Sequence, residues 1–221
     1  MMFRAMLRAQ WIWSRSIMWF FLAAGFSLPV LTVPMTMRGT GAGSYNAGFV
    51  QAGEFIGLLV ALTVSLAAVA LALQNWSSDE RGRHIYALSL PIERHRFLLY
   101  RLSGSFVHLG LVALAIWLGG LVATALLELP ESLRAYPTSL AARALLAAWL
   151  VHALSFTYFL ATGARARLVS FLGVVTVAVL LILPIGTFPA RADLLLTGAR
   201  ALVSPHGPLG ILVSRWSFID V

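Results

Sequence analysis

The 221-residue chain is 60% hydrophobic and 11% charged, with a mean hydropathy of +0.87. A soluble domain carries about a quarter charged residues, so water is excluded as the main solvent. All sixteen basic residues are arginine, against eight acidic ones, and the absence of cysteine excludes disulfides, thiolate metal sites and cysteine nucleophiles. Ten of the arginines fall in three segments separated by pairs of apolar stretches. That placement is expected for basic residues retained on one side of a membrane and facing anionic lipid, and it speaks against nucleic acid as the partner of a net charge of +8.

In chain order, residues 1–14 read as an amphipathic elbow helix at the membrane surface, since Phe3, Met6, Leu7 and Trp11 follow helical spacing while Arg4, Arg8 and Arg15 fall on another face. Arginines interrupt Met1–Trp19 and no small-residue cleavage site follows, so a cleaved signal peptide is not expected. A first span is predicted over Arg15–Pro34, and a Gly/Thr/Ser loop over Thr36–Ser44. A second span follows over Gly53–Trp76, then the charged stretch Ser77–Arg101, a third span over Ser103–Leu127 and a turn over Glu128–Thr138. The fourth span is predicted over Leu140–Thr162, a tight loop with Arg165 and Arg167 comes next, and a fifth span covers Leu168–Gly186. Counting arginines per loop puts the N-terminus in the cytoplasm, in the manner of a bacterial inner-membrane protein. The remainder, 189–221, is broken by Arg191, Asp193, Arg200, Pro205, His206 and Pro208; a sixth span is missing or incomplete there. The expected fold is therefore all-α, a polytopic integral membrane protein forming one domain over 1–221, with five transmembrane helices.

The segment between the second and third spans, 77–101, carries the most information. Ser77 with Glu80 fits a capping box, Asp79 and Glu80 suit the positive end of a helix, and Ile85 with Leu88 makes an apolar ridge. Pro91 stops that short helix and is acceptable as the first residue of the next. A short helix held by charged flanks between two spans suits a lever driven by a soluble partner; the same pattern also reads as a solvated loop against lipid. The run Asp79-Glu80-Arg81-Gly82-Arg83, then Ala87-Leu88-Ser89-Leu90-Pro91-Ile92 and Glu93-Arg94 to Phe97, resembles the coupling segment of type-two ABC exporter permeases. The resemblance is tight over about 25 residues and looser, through elbow helix and span order, over most of the chain. It implies a permease homodimer or heterodimer joined to ATPase subunits, with Asp79, Glu80, Gly82, Arg83, Leu88, Leu90, Pro91 and Arg94 at the ATPase contact. It also implies a sixth span, which is missing or incomplete in 189–221.

No phosphate-binding loop ending in Gly-Lys-Ser or Gly-Lys-Thr occurs, and the chain has no lysine, so ATP and magnesium are expected on the partner and no cofactor or metal on this chain. Neither His-Glu-x-x-His nor an acidic pair at membrane depth is found, which speaks against an enzyme embedded in the bilayer. Ionisable residues in spans are costly and often functional, which singles out Glu54, His108 and His152 as candidates for a substrate path. Each also has a structural reading: Glu54 and His108 lie close enough to an interface to reach water, and a neutral His152 can bond a neighbouring hydroxyl or carbonyl. Trp11, Trp13, Trp19 and Trp76 read as an interfacial aromatic belt, and Gly53 with Gly57 as helix packing. The leading expectation is ATP-driven export of an amphipathic substrate. The alternative is a non-transporting scaffold or accessory subunit of a larger membrane complex.

Overall fold

A computed structural model describes residues 2–37, 45–81, 93–126, 133–162, 166, 169–176 and 218–220. Helix α1 spans Met2–Met37, α2 Tyr45–Arg81, α3 Arg94–Leu126 and α4 Pro137–Ala161. The strands β1 (Arg134–Ala135) and β2 (Ile219–Asp220) form one short antiparallel pair. Helices dominate because an apolar chain in lipid must satisfy each N–H and C=O within its own segment. Among the described residues, proline is confined to places where this costs little. Pro137 opens α4, where its missing N–H has no partner to lose, and Pro29 and Pro34 sit in α1, as membrane helices tolerate.

The helices alternate in direction. Phe3 meets Tyr100 and Gly25 faces Ile116, so α1 and α3 run parallel. The Gln74 side chain donates to the Trp13 carbonyl at 3.1 Å, consistent with α2 running back along α1. Trp149 donates to the Phe106 carbonyl and Trp117 to the Thr138 hydroxyl, both at 3.2 Å, which makes α4 antiparallel to α3. One end of the bundle thus gathers the start of α1, the end of α2, the start of α3 and the end of α4. With Arg4, Arg8, Arg81, Arg94, Arg96 and Arg101 on these segments it is the basic end. The far end holds the β pair.

Met18, Ile56, Val60, Val64, Leu109 and Ile116 form the core, while Ala67, Ala68, Ala144 and Ala148 bring α2 and α4 close. The outward faces are apolar as well: Trp19, Phe20, Leu126 and Leu154 are exposed. A bundle that is apolar inside and outside is at equilibrium only in lipid. Four helices among the described residues are long and apolar enough to cross a bilayer, and the chain is a multi-pass integral membrane protein.

Several boundaries differ from the sequence reading. The spans number four among the described residues, not five; of the fifth, 168–186, residues 169–176 are helical and the rest lies outside the described residues. The expected elbow and first span are one unbroken helix of 36 residues, about 54 Å at 1.5 Å per residue, because residues 3–11 pack along α3 instead of turning away. The charged stretch is shorter than 77–101, since α2 continues to Arg81 and α3 begins at Arg94. Of 189–221, only Phe218–Asp220 is described. Phe218 and Ile219 are fully buried at the far end: Phe218 N–H donates to the Gly53 carbonyl at 3.2 Å, and Tyr136 N–H to the Phe218 carbonyl at 2.9 Å. Gly53 therefore admits a strand and not a second helix, because a Cβ there would lie 2.7 Å from the Ile219 nitrogen.

Candidate functional site

Among the described residues, the densest group of buried polar side chains lies two turns inside the basic end, where α1, α2 and α3 meet. On α3 the positions 97, 101, 105 and 108 form one stripe at helical spacing and present Phe97, Arg101, Ser105 and His108 to the interior. Met6, Gln10, Ser14 and Met18 do the same on α1, and Asn75 and Trp76 complete the group from α2. Arg101 is only 2% exposed.

Its guanidinium donates through Nη2 to the Asn75 carbonyl and lies 5.4 Å from the Trp76 ring centroid and 5.7 Å from that of Phe97. The Arg101 carbonyl in turn accepts from Gln10 Nε2 at 2.8 Å and from the Ser105 hydroxyl at 3.1 Å. Asn75 Nδ2 donates to Ser105 Oγ at 2.7 Å, and the Ser14 hydroxyl donates to the Gln10 carbonyl at 2.8 Å. Gly104 makes room for this, since a Cβ there would overlap the Gln10 amide. One residue of α3 thus ties together three helices.

The depth of the cluster explains how a guanidinium survives there. Helix α4, with 25 residues and about 37 Å, is the closest match to a hydrocarbon core of about 30 Å. A core centred on α4 ends near Phe159, which packs in one cluster with Trp76, beside Arg101. A core centred in this way puts the cation at the hydrocarbon boundary, where the cost of charge is far below its value at the bilayer centre. Aromatic faces and a helix carbonyl replace water around it.

The side chains of Asp79, Glu80 and Arg94, and the whole of Gly82, Arg83, Leu88, Leu90 and Pro91, lie outside the described residues. Asp79 and Glu80 belong to the last turn of α2, not the first turn of a new helix, and Arg94 opens α3. Next to them Glu93 pairs with Arg96 at 3.0 Å and with His95 at 3.3 Å, all three exposed to solvent, so the pairs contribute little to stability. The cluster lies close to the two helix ends that flank 82–92: Asn75 and Trp76 precede the end of α2 by a turn and a half, and Phe97 and Arg101 follow the start of α3 by one and two turns.

The three substrate-path candidates are not brought together. Glu54 lies on α2 near the far end, with its side chain outside the described residues. His108 does not reach water: it is 3% exposed and stacked on Trp11 at 5.6 Å. His152 is fully buried between α2, α3 and α4, with Nδ1–H donating to the Ala68 carbonyl at 2.9 Å and Phe106 and Phe156 against its ring. No other partner reaches its Nε2 among the described residues. Interhelical bonds of this kind contribute about 0.6 kcal/mol on average, so His152→Leu is expected to stay within about 1 kcal/mol of the parent in detergent unfolding. A larger loss would show that the imidazole holds α2 and α4 together. Trp76, level with the hydrocarbon boundary, faces the bundle and not the lipid, with Phe156 at 5.1 Å and Arg101 at 5.4 Å from its ring.

Sequence reasoning missed Gln10, Asn75 and Arg101, and counted Arg101 among the loop arginines. A signal existed: Phe97, Arg101, Ser105 and His108 repeat at intervals of four, four and three. Among the described residues no group of three or more His, Cys, Asp or Glu could hold a metal. No family model, curated protein or solved structure matches the chain.

Proposed function

We propose that this chain is the membrane-spanning permease subunit of an ABC-type exporter in a bacterial cytoplasmic membrane. Its basic end faces the cytoplasm and its partner is a separate ATPase subunit that binds ATP and magnesium. Two permease copies and two ATPases form the working unit, and the cargo is amphipathic. The reading rests on the run from Asp79 to Phe97, with its proline-stopped Leu88-Ser89-Leu90-Pro91, which joins two membrane-crossing helices at the basic end. What supports it further is that both flanks of this run are held by Arg101, through Trp76 and Asn75 on one side and Phe97 on the other. A push on the segment would then be delivered to α1, α2 and α3 together rather than absorbed by one helix end.

Co-expression with candidate ATPases and purification through this chain tests the reading. A phosphate-loop ATPase should co-purify, and its transport-linked ATP hydrolysis should be lost in the double variant Leu90→Asp, Pro91→Asp while the helices remain inserted. Full coupling in that variant removes the segment from the mechanism. Purification in a stable assembly without any ATPase favours the scaffold role instead.

A further inference from the structure

Helix α1 carries an unusual surface. Arg4, Arg8, Arg15, Trp19 and Phe26 follow one another at intervals of four, seven, four and seven, which keeps all five on one stripe of the helix. All five are exposed, on the side away from Met6, Gln10, Met18 and Phe21, which face the bundle. The stripe changes character along its length: three guanidiniums, then an indole, then a phenyl ring. No acidic residue occurs before Glu54 in the sequence, and no ion pair or hydrogen bond of these three arginines is formed among the described residues. Among the described residues, then, the cationic face has no counter-charge of its own.

Its depth matches lipid phosphate. Gln10 is level with Arg101 at the hydrocarbon boundary, so Arg8 lies about 3 Å outside it and Arg4 about 9 Å outside, across the headgroup layer. Arg15 starts about 8 Å inside, and its side chain, extended back along the helix, brings the guanidinium to the hydrocarbon boundary, where a headgroup drawn inward meets it. Trp19 and Phe26 continue the same stripe into the acyl region, where their exposed rings lie beside lipid chains.

We infer that this stripe is a binding site for anionic phospholipid, with Arg4, Arg8 and Arg15 on the phosphate diester headgroups of the leaflet at the basic end and Trp19 and Phe26 along the acyl chains. Guanidiniums suit this role because their planar forks bind phosphate oxygens in pairs. The inference does not depend on the exporter reading, since it uses neither the segment 82–92 nor an ATPase.

The full-length chain is reconstituted in nanodiscs of phosphatidylcholine alone and of phosphatidylcholine mixed equally with phosphatidylglycerol. Unfolding temperature and phosphatidylglycerol retained on detergent extraction are then measured. The parent should melt higher in the mixed discs and retain phosphatidylglycerol, as should a far-end control with Arg134→Gln and Arg143→Gln. The triple variant Arg4→Gln, Arg8→Gln, Arg15→Gln should melt with the parent in phosphatidylcholine and lose the increment. Its retention should fall about a hundredfold, from roughly fivefold per arginine near a charged surface. Arg15→Gln alone, with Arg4 and Arg8 in place, should lose about fivefold on the same basis and covers a triple variant that fails to fold. Inorganic phosphate added to the phosphatidylcholine discs should not reproduce the shift. Unchanged retention in both the triple and the single variant, equal loss in the far-end control, or a full shift from inorganic phosphate would overturn the assignment.

Discussion

Gly119→Ala is expected to force α1 and α3 apart, while Gly110→Ala, nine residues earlier on the same helix, leaves them together. At Gly119 an added Cβ would overlap the Phe26 carbonyl oxygen and lie 2.9 Å from its carbonyl carbon and 3.0 Å from the Phe26 Cα. These are backbone atoms, which cannot rotate aside as a side chain would, so the helices must separate along a crossing that also carries Gly25 against Ile116, where a Cβ would lie 3.1 Å from Cγ1. At Gly110 nothing lies within 4 Å of the same methyl. Overpacking a close contact costs about 1–3 kcal/mol. Alanine meanwhile improves helix propensity over glycine by about 1 kcal/mol, which is all that Gly110→Ala should show. The two substitutions are chemically identical and should differ in sign. Equilibrium unfolding of both variants in one detergent measures the difference, and equal stability would mean that α1 and α3 do not cross in backbone contact there.

The helices and their order were legible because lipid leaves a spanning chain few options, and long apolar runs such as 56–77 and 137–161 point to helices. Helix ends were less so. Arginines at 4, 8 and 15 suggested a surface elbow, yet a guanidinium on an exposed stripe is compatible with a helix that simply continues, and composition alone does not distinguish the two. Arg101 was misjudged for a related reason: charge was taken as a marker of a loop, whereas Trp76, Phe97 and the Asn75 carbonyl supply a place for it inside the bundle. Those partners are 25, 4 and 26 residues away, and only the position 4 residues away is visible as periodicity. The pairing of Arg134 with Asp220, and of Ala135 with Ile219, was beyond reach altogether, since a two-residue strand has no repeat to detect.

Arg101 is where these threads meet, and its replacements should separate holding from filling. Its hydrogen bond to Asn75, as a bond from a charged donor, is worth about 1.5–3 kcal/mol, and its desolvated contact with Trp76 about 2 kcal/mol. Against this stands the cost of charge, about 2.5–3.5 kcal/mol at the bilayer centre and less at the boundary where Arg101 lies. The interactions win by a small margin, so Arg101→Met, which keeps a flexible apolar stem between Trp76 and Phe97, should lose about 1–3 kcal/mol. Arg101→Ala opens a cavity as well and should lose about 2–5 kcal/mol. Arg101→Lys keeps the charge without the planar guanidinium that lies over both rings, and should fall between them. On the exporter reading proposed above, Arg101→Met should leave ATPase binding intact, because that reading puts the contact on the segment between α2 and α3. Transport per ATP should fall, because the two flanks of the segment would no longer move as one. Parent-like stability together with parent-like transport in Arg101→Met would reduce the residue to a buried charge that the fold tolerates and does not use.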